Sequence, residues 1–197
     1  MQKSFIFSVL FITLLFLGYN QSFAESYKSA EDFIANLSHR TLQIIQSKDS
    51  ENKKSVQLEK IFNDAVDVKW MAKFAIAKFW KSMSEKQKEN YLKAYQYYLI
   101  KTYVPRFKEY NNQEIKIVGT KDIGNEQYIV STQIVSMKGS EKNIINVGYR
   151  CKSSNGIYNI RDITGEDFSL LSTQRSEFSS IIAKNGIDKL IQILSEK

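Results

Sequence analysis

At 197 residues, 43% hydrophobic and 13% aromatic, the chain can bury a substantial core, and with one cysteine, Cys151, it must do so without an internal disulfide. The formal charge of +7 suits nucleic acid or an anionic membrane surface, but the lysines (Lys48, Lys53, Lys54, Lys81, Lys86, Lys88, Lys138, Lys142) are scattered, with no arginine-rich cluster. A single histidine, His39, and the lack of a glycine-rich phosphate loop, a zinc-spaced ligand set or a nucleophile elbow exclude most enzyme classes.

The chain opens with Lys3, an apolar run from Phe5 to Leu17, and the small-x-small step Ser22-Phe23-Ala24. That is the pattern of a secretory signal peptide over residues 1–24, cut after Ala24, because the run falls short of the ~20 apolar residues a bilayer span needs. Residues 25–197 then form one exported domain, and an exported protein rarely meets nucleic acid.

Ser29 starts a helix that carries Phe33, Ile34, Leu37, Leu42, Ile44 and Ile45 to about Gln46, with His39 as an ordinary mid-helix residue. Residues 47–55 read as a polar connector and Val56 to Phe62 as a short second helix. Asp67 caps a third, which sets Trp70, Phe74, Ala77 and Trp80 near one face.

Ser84-Glu85-Lys86-Gln87 is a capping box opening a long fourth helix. On it Tyr91, Tyr95, Tyr98 and Thr102 recur at helical spacing beside Leu92, Leu99 and Tyr103. Buried tyrosine hydroxyls need partners, so this face is either a helix covering a sheet or one wall of a lipid-sized pocket. Pro105, the only proline, ends or kinks it.

The period then changes to two. Strands are expected over Glu114 to Val118, Gln127 to Val135, Ile145 to Cys151 and Gly156 to Ile163, close enough for an antiparallel meander. Gly148 leaves room for a close approach. Phe168 to Lys184 and Ile187 to Leu194 are helical, parted by Asn185-Gly186. The fold class is α+β, about six helices packed on a four-stranded antiparallel sheet. Cys151 is a small apolar residue of its strand. Asp162, Glu166 and Asp167 at the strand-to-helix junction cap that helix, or else Asp162 or Glu166 serves as a base in a small hydrophobic-pocket enzyme.

Several stretches together resemble the MlaC family of periplasmic phospholipid-binding proteins, the toluene-tolerance auxiliary proteins. They are Asp67 with Phe79-Trp80-Lys81, Met83 to Gln87, the Tyr91…Tyr95…Leu99…Thr102-Tyr103 spacing, and Val147-Gly148-Tyr149-Arg150. Ile160-Arg161-Asp162-Ile163, Glu166 to Leu170, Arg175, Phe178 and Asn185 to Leu190 complete the order. The chain departs from the family's pattern at Ala77 and at Asp167-Phe168, where glycine is common before the aromatic pair and in Glu-Gly-x-Ser.

The resemblance implies a non-enzymatic carrier, without cofactor or metal, that moves phospholipid through the periplasm. Its partners would be an outer-membrane lipoprotein complex and an inner-membrane MCE-type ABC transporter, in the upkeep of outer-membrane lipid asymmetry. Nothing demands more than a monomer, and a different lipid such as a hopanoid is the alternative cargo. The expected pocket is lined by Trp80, Tyr91, Tyr95, Tyr98, Tyr103 and Phe107 from the helices, and by Tyr128, Val130, Val147, Tyr149 and Phe168 from the sheet. Arg150 and Arg161 would lie near the headgroup, with Arg150 alternatively pairing with Asp162 or Glu166.

Overall fold

The computed structural model describes residues 25–109, 113–138 and 141–196; the expected signal peptide lies outside them. Six helices and five strands follow in the order α1 (Ala30–Gln46), α2 (Glu51–Ala65), α3 (Val68–Trp80), α4 (Glu85–Tyr103), a 3₁₀ turn (Val104–Glu109), β1 (Glu114–Gly124), β2 (Gln127–Lys138), β3 (Glu141–Ser154), β4 (Ile157–Gly165), β5 (Phe168–Ser169), α5 (Leu170–Asn185) and α6 (Ile187–Glu196). The α+β expectation is met, with one strand more than the four expected.

The starts of α1 to α5 each carry a polar side chain that satisfies an orphan N–H. Ser29, Asp67 and Ser169 accept from the third residue on, and Ser84 and Gln87 close the capping box in both directions. Helix α2 begins five residues earlier than its apolar pattern, because Ser50 caps it and Glu51, Asn52 and Lys53 form a solvated first turn. The polarity of that turn disguised it as connector. Pro105 does end the α-helical ladder, but the chain continues as the 3₁₀ turn. Helix α3 kinks at Ala77 (φ 8°, ψ −79°).

The sheet is a meander of strand order β1-β2-β3-β4-β5, antiparallel throughout. At Gly148 the close neighbour is the next strand, since a Cβ there would run into Thr164 Oγ1. Strand β5 exists because Glu166 and Asp167 take left-handed backbone (φ 45° and 68°), folding Phe168 back beside Gly165. Helix α5 therefore starts at Leu170, two residues beyond the start at Phe168 expected from the sequence.

Two apolar clusters result. One lies among α2 to α6, built on Leu58, Met71, Ala75, Tyr91, Tyr95, Leu99, Phe178 and Leu190. The other lies between α1 and the sheet, built on Phe33, Ile34, Val130, Cys151, Tyr158 and Ile160. Among the described residues no helix is long and apolar enough to cross a membrane.

Candidate functional site

An apolar cavity of about 210 Å³ lies where the two clusters meet. Its walls come from both: Ile34, Ala65 and Ile160 belong to the sheet-side cluster, and Leu58, Phe62, Met71 and Leu99 to the helical one. Ser38, Thr41 and Leu42 of α1, Ile115 of β1 and Tyr149 and Ile163 of the sheet add to the lining. Tyr103, Arg106 and Phe107 bring in the end of α4 and the 3₁₀ turn. Among the described residues the wall is thus nearly all hydrocarbon, with hydroxyls at Ser38, Thr41, Tyr103 and Tyr149 and one charged side chain, Arg106.

Three expected lining residues, Tyr103, Phe107 and Tyr149, are on this wall. Tyr91, Tyr95 and Tyr98 of α4 are not. Tyr91 donates its hydroxyl to the Ala72 carbonyl (2.9 Å), and Tyr95 donates to Gln174 Oε1 (2.6 Å). Both are 0% exposed. Rings of Tyr91, Tyr95, Tyr98 and Phe178 pack with centroids 5.8 to 6.4 Å apart. This is the helical core, built of tyrosine because carbonyl and amide acceptors are in reach. Burial pushes the Tyr91 and Tyr95 phenols well above the ordinary range, and that of Tyr103 up to about 12.

On the sheet side Val130 is buried under α1, and Tyr128 packs on Tyr158 with centroids 6.1 Å apart. The Val147 carbonyl accepts from Thr132 Oγ1 (3.0 Å). Trp80 packs on the outside of the helical cluster beneath Lys73 and Lys88. Phe168 is 78% exposed, displaced from the wall by the left-handed turn before it.

Arg150 and Arg161 do not line the cavity either. Both stack on Trp70, at 5.8 and 4.8 Å from the ring centroid. Arg161 Nε donates to Asp67 Oδ2 (3.0 Å), and Arg150 Nε to Gln127 Oε1 (3.1 Å), so Arg150 does not take Asp162 or Glu166 as its partner. Asp162 is 8% exposed and accepts from Ile163 N (2.9 Å), Leu171 N (3.1 Å) and Ser169 Oγ (2.6 Å). It holds the start of α5. Glu166 accepts from the Asn146 amide (2.7 Å) at the sheet's edge.

Sequence reasoning missed the α1 and α2 walls and Arg106. The apolar stripe of α1 was visible, yet an α-helical stripe looks the same whether it meets protein or ligand.

The fold matches a phospholipid-binding protein from Ralstonia solanacearum solved in complex with a phospholipid, at a TM-score of 0.69 and 19% identity, over 83% of this chain and 93% of that one. The intermembrane phospholipid transport system binding protein MlaC of Haemophilus influenzae is 24% identical over 127 residues, which is 64% of this chain and 59% of that relative's length. The family model described as MlaC protein matches residues 35–196, four fifths of the sequence. This chain belongs to the MlaC family.

Proposed function

We propose that this protein is a periplasmic phospholipid carrier that shields acyl chains while moving lipid between the outer membrane and an inner-membrane MCE-type ABC transporter. The observation that carries the reading is the hydrocarbon-walled cavity between the two cores. A carrier must hide tails from water, and each buried CH₂ contributes about 0.8 kcal/mol. Two chains of roughly sixteen carbons therefore represent on the order of 20 kcal/mol. A bilayer offers those chains nearly the same environment, so transfer is close to balanced and docking partners set its direction.

At about 210 Å³ the cavity is smaller than the roughly 300–1,000 Å³ of sites that enclose drug-sized ligands. Loading therefore parts the walls. Those able to move are the half-buried residues of α1 facing the cavity and the 3₁₀ turn, each tied down by fewer buried contacts than α4. Arg106 stands on that turn as the charged lining residue, and we assign to it the lipid phosphate in place of Arg150 and Arg161.

Native mass spectrometry of the protein purified from exporting cells, with organic extraction, tests the reading. A phospholipid-sized adduct is expected, and Arg106→Gln should lower the loaded fraction. Protein mass alone, with nothing lipidic in the extract, would reject it.

A further inference from the structure

The aromatic face of α3 turns away from the cavity and carries a layer of cations. Trp70 and Phe74 stack with centroids 5.2 Å apart. Arg150 and Arg161 reach Trp70 from β3 and β4, and Arg175 sits 4.9 Å from the Phe74 centroid from α5. Further along, Lys73 lies 5.2 Å from the Trp80 centroid and Lys78 4.9 Å from that of Phe79. Two strands and a helix thus bring arginines to the Trp70–Phe74 part of α3, and α3 adds exposed lysines of its own toward its C-terminal end.

Little on that face neutralises it. Helix α3, VKWMAKFAIAKFW, contains no carboxylate. Asp67 pairs with Arg161 and Glu85 with Lys88. Among the described residues Lys69, Lys73, Lys78, Arg150 and Arg175 make no ion pair. The Arg175 guanidinium, held over the Phe74 ring and without an ion pair among the described residues, offers a fork of N–H donors suited to bidentate capture of a carboxylate. A membrane surface would suit side chains that insert. Among the described residues the exposed large apolar side chains, Met137, Ile144 and Phe168 included, are outside the stripe.

We propose that this stripe is a docking surface for an acidic face of a partner protein. The inference does not rest on what the cavity holds. Fluorescence anisotropy of a labelled ten-residue glutamate peptide with the purified protein tests it. Lys73→Gln/Lys78→Gln/Arg175→Gln should bind about tenfold more weakly, the sum of three partly screened pairs. The control Lys48→Gln/Lys121→Gln/Lys184→Gln, with the same charge loss elsewhere, should change binding by less than about threefold.

Arg175→Lys keeps the charge but not the planar fork of donors, and it too should weaken binding. Equal losses in the two triple variants would make the effect one of net charge and overturn the proposal. So would full affinity in Arg175→Lys. Stripe-dependent binding to phosphatidylglycerol vesicles with indifference to the peptide would replace the protein partner by a membrane, also overturning it. Lipid extracted from the same preparations reads the cavity separately, and circular dichroism confirms that each variant folds.

Discussion

Asp162 shows how a carboxylate can look catalytic in a sequence and prove structural. Buried and accepting three hydrogen bonds, it ties β4 to the first turn of α5. Asp162→Ala would leave the Ile163 and Leu171 amides and the Ser169 hydroxyl without their acceptor. A loss of about 2 kcal/mol or more is expected, read as a lower urea midpoint at unchanged slope; an unchanged midpoint would mean the cap contributes nothing. Five residues on, Asp167 sits at φ 68°, in the left-handed region. Asp167→Gly should therefore stabilise the protein by about 0.5–1 kcal/mol, since glycine enters that region without a Cβ penalty. Cys151 is 0% exposed, and burial raises its thiol to about 12. A disulfide reagent at pH 8 should leave it unmodified in the native protein and label it fully in urea.

Helix α4 was fully legible as an element and only half legible as a surface. Its capping box and its end before Pro105 followed from local chemistry, which needs no knowledge of neighbours. Its apolar face was legible too, but which apolar neighbour it meets was not. The Tyr95 hydroxyl ends on Gln174, 79 residues away, and no spacing rule reaches that far. A charge placed at Tyr95 consequently probes the helical core rather than the cavity. The same burial has a pH signature. With native Tyr91, Tyr95 and Tyr103 phenols raised above the unfolded value of about 10, unfolded chains release protons first as pH climbs. Stability is undiminished below about pH 10 and falls from there through pH 12 and above. Urea midpoints at pH 8 and pH 11 should differ accordingly, and equal midpoints would contradict the burial.

At the scale of the molecule, the cavity is a consequence of having two cores. Helix α1 folds onto the sheet, while α3 to α6 fold onto one another, and neither cluster fills the seam between them. The two clusters could be read from the switch of period between the chain's halves. The seam could not, because it depends on how far two well-packed bodies stand apart. Ser38 faces that seam from α1, and a small polar residue on an apolar wall is where added bulk should be welcome. Ser38→Phe fills space that dispersion contacts do not now use, so the lipid-free protein should gain about 1 kcal/mol. The same ring occupies room that acyl chains need, so lipid recovered per mole of protein should drop. Stability and loading would then move in opposite directions, which a general folding defect cannot produce. Lipid recovery at the wild-type level, with the stability gain in place, would locate the cargo elsewhere than this cavity.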